Sequence, residues 1–162
     1  MYINFWYPIA RGEDVKNDQP YRTQVLGLRI VAFRDDQGSA HVLHDVCTHR
    51  GGSLGKGWIR DNTVVCPYHG WRFGGDGKCS SIPSLPNETP PARAKVDSYP
   101  VQEKYGWVWV FLGDLPEAER PPLPEFPEYN DTANWRTVRG EWLWQADYVR
   151  IVENGLDFAH AP

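Results

Sequence analysis

Cys47-Thr-His49-Arg-Gly-Gly-Ser-Leu-Gly-Lys-Gly57 and Cys66-Pro-Tyr-His69-Gly-Trp-Arg-Phe73 decide how this chain is read. Each stretch places one thiol and one imidazole in a glycine-flanked loop beside a run of strand-forming residues. Sixteen residues separate His49 from Cys66, and two such loops can close over one metal centre. Two chemistries fit. Two thiolates and two imidazoles can complete a tetrahedral zinc site. They can also hold a [2Fe–2S] cluster whose two irons are bound by sulfur and by nitrogen respectively. Zinc fingers usually run Cys-Cys and then His-His, because each short knuckle supplies a like pair. Here each loop supplies one of each, so an iron–sulfur centre is preferred to structural zinc and to unligated loop residues.

The rest of the composition is consistent with this. A length of 162 residues suits one ordinary domain. Aromatics at 14%, with 15 Gly, 14 Pro and a single Met, favour strands and turns over a helix bundle. Three cysteines are too few for a disulfide framework, and in a reducing compartment Cys near His reads as a metal or catalytic group. Cys79 lies outside both motifs and is expected to be a small buried thiol. A net charge of −4 disfavours a nucleic-acid binder. No apolar run approaches the roughly 18 residues of a membrane span. Residues 1–8 lack the basic start and apolar stretch of a signal peptide, so a cytoplasmic location is expected.

Along the chain, residues 22–34 read as strand bent near Gly27, and Asp35-Asp-Gln-Gly38 as a turn leading to a hairpin partner over 40–46. Residues 63–66 and 71–73 are short strands. Val101–Glu103 and Trp107–Leu112 form a third hairpin around Lys104-Tyr-Gly106. The expected fold is mostly β, a small antiparallel sandwich or barrel. Five prolines between 115 and 127 mark an extended connector. Beyond it, 140–146 is expected to form one more strand. Asp147 should cap a helix carrying Tyr148, Ile151, Val152, Leu156 and Ala159 near one face and running into His160.

Cys-X-His…Cys-X-X-His, with Arg50-Gly51 after the first pair and Gly70-Trp71 after the second, resembles a Rieske centre. Residues 5–113 are similar to the N-terminal Rieske [2Fe–2S] domain of Rieske non-heme iron oxygenase α (terminal oxygenase) subunits, of the aromatic-ring-hydroxylating type. Trp6-Tyr-Pro-Ile-Ala10 and Gly77-Lys-Cys-Ser-Ser-Ile-Pro83 contribute to the likeness. The resemblance implies a Rieske-type small antiparallel β-sandwich with a cluster-binding subdomain over 1–113. A Pro/Glu-rich connector follows over 114–134, and then the truncated start of an α+β catalytic domain over 135–162. It makes Cys47 and Cys66 ligands of one iron, His49 and His69 ligands of the other, and Ser80–Pro83 a loop covering the cluster.

Departures from the pattern of quinol-oxidising Rieske proteins are informative. Those proteins carry an extra disulfide-forming cysteine in each loop, where this chain has Gly52 and Tyr68. They also place a serine that donates to a cluster sulfide where this chain has Trp71. Fewer donors near the sulfurs imply a potential low in the Rieske range, roughly −150 mV to near zero.

The tail, Asn154-Gly-Leu-Asp157-Phe-Ala-His160, is similar to part of the mononuclear iron site of the same family, which uses two histidines and one carboxylate. His160 matches the first iron ligand. Asp157 matches the residue bridging that iron to the Rieske histidine of a neighbouring subunit, here His69, and Asn154 lies nearby in relatives. At a spacing of three, Asp157 and His160 are expected to share a helix face. The remaining ligands would lie past Pro162, so the chain is expected to be the front of a longer oxygenase, with mononuclear Fe(II) only in the full-length protein.

The implied function is electron transfer to that iron for O2 activation and hydroxylation or oxidative demethylation of an organic substrate. The catalytic activity belongs to the parent protein. The alternatives are a stand-alone Rieske ferredoxin-type carrier and a structural zinc domain. Expected partners are a ferredoxin or flavin reductase and, at full length, two further copies in a homotrimer, with neither nucleic acid nor membrane. Arg50, Lys56, Arg60, Arg72 and Lys78 are candidates for docking an acidic donor. Trp71, Trp107 and Trp109 are expected in the sandwich core.

Overall fold

A computed structural model describes residues 3–157 and 159. The chain forms two compact units, Met1–Glu125 and Phe126–Pro162. Among its described residues the first holds eleven strands: β1 (Phe5–Arg11), β2 (Tyr21–Val25), β3 (Leu28–Arg34), β4 (Ala40–His44), β5 (Trp58–Arg60), β6 (Thr63–Val65), β7 (Arg72–Phe73), β8 (Cys79–Ser81), β9 (Ser98–Tyr99), β10 (Val101–Lys104) and β11 (Trp107–Leu112). They make three antiparallel sheets, ordered β1-β11-β10, β2-β3-β4-β9 and β5-β6-β7-β8. Mostly β architecture with antiparallel pairing is the fold expected from the sequence.

Three hairpins close through residue pairs that both have positive φ: Leu26-Gly27, Asp61-Asn62 and Tyr105-Gly106. Two-residue turns of that kind match the strand twist and fix register. In the Asp35–Gly38 turn, the Asp35 carboxylate accepts from Gln37 N and Ser39 N.

Strand β3 explains how the sheets share a core. Ile30 and Ala32 point into a cluster with Ile9, Val15, Val42, Val108 and Val110. Val31 and Phe33 point the other way, into a cluster with Leu43, Leu54, Val64 and Phe73. The period of two makes one strand a wall between two cores, hence its unbroken apolar run. The second core also contains Cys47, Cys66 and Cys79 and so lies beneath the candidate metal loops.

Strand β1 was not anticipated. It carries Pro8, a residue that usually argues against strand, and pairs with distant β11 through a register shift between Pro8 and Ala10. Trp107 and Trp109 are not core residues. Val108 and Val110 take the inward positions of β11, leaving Trp107 38% exposed and Trp109 donating Nε1–H to Lys104 O at 3.1 Å. After β11 the chain makes a short 3-10 turn over Glu117–Glu119. This stretch is tied back by Trp6 Nε1–H donating to Pro121 O (2.7 Å) and by Lys104 pairing with Glu125 (2.5 Å).

The second unit contains helix α1 (Pro127–Asn130) and helix α2 (Tyr148–Leu156). Asp147 caps α2 as expected, its carboxylate accepting from Val149 N at 2.9 Å. Two expectations fail here. Residues 140–146 form no strand, although Trp142 and Trp144 alternate as a strand would, because among the described residues no segment pairs with them. Helix α2 stops at Leu156. Asp157 sits at its C-cap, with its N–H donating to Glu153 O and its carboxylate accepting from Ala159 N (3.1 Å), a turn that ends the helix. Asp157 therefore lies past the last helical residue, and His160, its expected partner on a helix face, lies outside the described residues. Among the described residues no helix is long and apolar enough to cross a membrane.

Candidate metal centre

Two loops present the four motif residues, one between β4 and β5 and one between β6 and β7. Their backbones follow the same plan. Gly51 N donates to Cys47 O at 2.9 Å, and Cys47 N donates to Gly52 O at 2.8 Å. Gly70 N donates to Cys66 O at 2.9 Å, and Cys66 N donates to Trp71 O at 2.8 Å. Gly51 and Gly70 both have φ of +72°, a left-handed conformation that glycine adopts without strain. Each loop is thus a Cys-x-x-x-Gly frame, with its histidine at the third position in the first loop and at the fourth in the second.

These frames bring the two cysteines together as one pair and the two histidines as another. Cys47 and Cys66 are each 2% exposed. Burial pushes the Cys47 thiol up to about 11, and the Cys66 sulfur within hydrogen-bonding reach adds to the effect, while the N–H groups of His49 and Arg50 oppose it. The Cys47 thiolate needs a cationic centre to hold it deprotonated. The His49 and His69 rings lie 4.6 Å apart, crossed at 61°. His49 Nδ1 is buried with no hydrogen-bond partner. Burial, then the neighbouring His69 and Arg50 charges, lower the His49 pKa and favour the neutral imidazole that binds metal. An orphaned buried nitrogen is costly unless something coordinates it.

The surroundings fix the rings. Trp71 stacks on His49, and Tyr68 stacks on His69 at 3.9 Å. Trp71 also packs against the core beneath, as expected. A Cβ added at Gly52 would stand 3.0 Å from Cys66 Sγ and 3.3 Å from Tyr68 Cβ. Positions 52 and 68 are therefore neighbours across the two loops. A Cβ added at Gly70 would meet Pro83 Cγ at 2.9 Å, which places the 80–83 segment against the second loop. Cys79 is a buried thiol whose pKa burial raises; its Sγ–H donates to Ser81 O at 3.4 Å.

Asp45 was not singled out from the sequence. Its carboxylate, 1% exposed, accepts from Ser53 Oγ (2.7 Å) and Gly55 N (2.5 Å). It thereby staples the end of the first loop to its beginning. The signal that could have found it is an acid two residues before the cysteine, with Ser53-Leu-Gly55 following the loop.

Among the described residues no three His, Cys, Asp or Glu side chains surround a single ion. A [2Fe–2S] cluster does not need three, because each iron takes two protein ligands and two bridging sulfides. The donor set of two buried sulfurs and a buried, unpartnered imidazole nitrogen fits that group.

The sequence matches the family described as Rieske [2Fe-2S] domain over residues 5–100. The 4beta-methylsterol monooxygenase of Methylococcus capsulatus is 34% identical, over 99% of this chain and 44% of its own length. The vanillate O-demethylase oxygenase subunit of a Pseudomonas species is 32% identical, over 97% of this chain and 43% of its own length. Among solved structures, dicamba monooxygenase with non-heme iron and dicamba superposes with a TM-score of 0.84 at 33% identity, covering 98% of this chain and 47% of that one. Pseudomonas putida CBB5 NdmA with caffeine gives 0.84 at 28% identity, covering 97% and 46%. The chain spans less than half the length of each of these relatives.

Proposed function

The chain belongs to the Rieske [2Fe–2S] domain family, and from that premise we propose that it is the electron-transfer part of an oxygenase serving a mononuclear non-heme iron. The observation that carries this is the buried, unpartnered Nδ1 of His49, on a ring 4.6 Å from that of His69, together with the burial of both motif cysteines. Cys47 and Cys66 would hold one iron as thiolates, and His49 and His69 the other as neutral imidazoles. A [2Fe–2S] cluster held there supplies one-electron chemistry.

The chain's own residues account for the rest. The paired Cys-x-x-x-Gly frames set the sulfurs on the buried side. Trp71 and Tyr68 fix the planes of the two imidazoles. His69 is exposed, which leaves one ligand edge open towards a redox partner.

The whole protein would activate O2 for hydroxylation or oxidative demethylation of an organic substrate. Asp157 would bridge between centres, and His160 would be the first ligand of the second iron. A stand-alone carrier accounts less well for the chain, because the relatives named as oxygenases align through the connector and α2 as well as the sandwich. Relatives carry names such as "oxygenase component" and "oxygenase subunit", which supports a separate electron donor, a ferredoxin or flavin reductase. A homotrimer at full length and a cytoplasmic location complete the proposal.

The test is iron and acid-labile sulfide analysis with electron paramagnetic resonance of the dithionite-reduced protein. About two irons and two sulfides per chain, with the low average g value of a nitrogen-ligated cluster, are expected. Zinc without sulfide would overturn the proposal.

A further inference from the structure

The five cations that the sequence offered for docking do not form one surface. Arg72 pairs with Asp61 at 2.9 Å and donates to Arg60 O. Arg60 lies 3.7 Å from the same Asp61, and Lys78 pairs with Asp76 at 2.9 Å. Their charges are already answered at the surface. Lys56 is different. With Arg22 and Arg29 it lines a cavity of about 380 Å³ whose other walls include Asp45 and Ser53. All three cations are exposed, and none makes an ion pair with a described residue. The only lining carboxylate is Asp45, which is committed to Ser53 and Gly55.

The cavity also lies close to the metal loops. Ser53 follows Gly52, whose α-carbon leaves no room for a side chain against Cys66 Sγ. Ser53 of the cavity wall is thus one residue along the chain from the glycine that packs on a cysteine sulfur. Electron transfer through a bonded path falls steeply with length, so a side-chain-free residue at this point is a natural entry.

We propose that Arg22, Arg29 and Lys56 dock the electron donor, an acidic one-electron carrier protein, and that electrons enter past Gly52 on the side of Cys66. This rests on the iron–sulfur proposal above. The cations come from β2, β3 and the 3-10 turn after the first loop, so they ring an opening rather than enclose a point. Asp45 at its wall repels a compact anion seated deep inside. Carboxylates projecting from a partner's surface meet the rim instead, against a chain whose overall charge is −4. In the step itself, one electron leaves the donor's reduced centre and one enters here. No bond forms or breaks and no proton is required.

Small charged oxidants test this without the natural donor. The dithionite-reduced holoprotein is mixed in stopped flow with ferricyanide, which is anionic, or with tris(phenanthroline)cobalt(III), which is cationic; each takes one electron. In the Arg22→Glu/Arg29→Glu/Lys56→Glu variant at low salt, the ferricyanide rate should fall at least about 10-fold and the cobalt rate should rise. Raising the salt should shrink both differences. The Gln variants at the same positions should show the same signs with smaller changes, and they serve if the charge-reversed protein loses its cluster. Lys78→Gln should change neither rate.

Equal changes with both oxidants, or none with either, would overturn the proposal. So would protection of the wild type by millimolar inorganic phosphate alone at constant ionic strength, which would mark a small-anion site. A wild-type protein without a bleachable visible spectrum would instead refute the iron–sulfur proposal on which this one rests.

Discussion

The indole of Trp71 lies flat on the imidazole of His49, with ring centroids 4.5 Å apart and planes 3° from parallel. In quinol-oxidising Rieske proteins the same position carries a hydroxyl donor. Here it carries a ring that packs on a ligand candidate and has no hydroxyl to offer a sulfide. The midpoint potential should therefore fall between roughly −150 mV and zero in a redox titration, and a value well above about +100 mV would contradict this account of Trp71. Replacing Trp71 with Phe keeps a stacking face; replacing it with Ala removes about 0.5–1.5 kcal/mol of ring–ring interaction beyond the lost burial. Denaturant unfolding should rank wild type above Phe above Ala.

Substitution of Cys47, Cys66, His49 or His69 by Ala should each abolish the visible spectrum of the holoprotein. Cys79→Ala should retain it, since Cys79 lies on β8, outside both loops, with its Sγ–H turned to Ser81 O. Iron and sulfide content of the purified variants checks both halves.

Asp45→Ala strands the Ser53 hydroxyl and the Gly55 N–H. It should cost about 1–3 kcal/mol in unfolding free energy. It should also speed iron loss to a chelator, because the first loop loses its staple. Asp45→Asn keeps the shape and one acceptor oxygen and should recover part of both effects. If chelation rates are equal in the Ala variant and wild type, Asp45 does not hold the loop.

Gly52→Ala presses a methyl group towards Cys66 Sγ and Tyr68 Cβ. A loss of about 1–3 kcal/mol is expected from overpacking a site that cannot yield. Thermal unfolding of the two proteins side by side provides the measurement.

Alkaline pH should expose Tyr99. Burial, with Asp97 adding to it, pushes its phenol up to about 12. The folded state thus prefers the neutral form more than the unfolded chain does. That contribution is whole below about pH 10 and is lost as pH rises through 12. Tyr99→Phe should remove this part of the alkaline fall in stability, and unfolding curves between pH 9 and 12 would show whether it does.

The metal loops were legible because their chemistry is local. Cys47 and His49, like Cys66 and His69, sit within one turn of chain, and the glycines that shape each turn are adjacent. The hairpins were legible for the same reason. Strand β1 was not, since its partner β11 lies about a hundred residues away and Pro8 argues against it. Residues 140–146 misled in the opposite sense: Trp142 and Trp144 alternate correctly, but a strand exists only with a neighbour to bond. The exposed side of β11 was misjudged because Trp107 and Trp109 are large and apolar, whereas the alternation assigns the interior to Val108 and Val110. Asp45 escaped notice because a carboxylate's meaning depends on which amides the fold aims at it.

The paired loop frames also bear on how the centre is assembled. Both belong to a stretch running from residue 47 to residue 69, closed by the β5–β6 hairpin and its Asp61-Asn62 turn. Bringing them together closes only a short loop, a small entropic step for a folding chain. A group bound by both loops would clamp the two ends of that stretch to each other, and it would do so without calling on the distant pairing of β1 with β11.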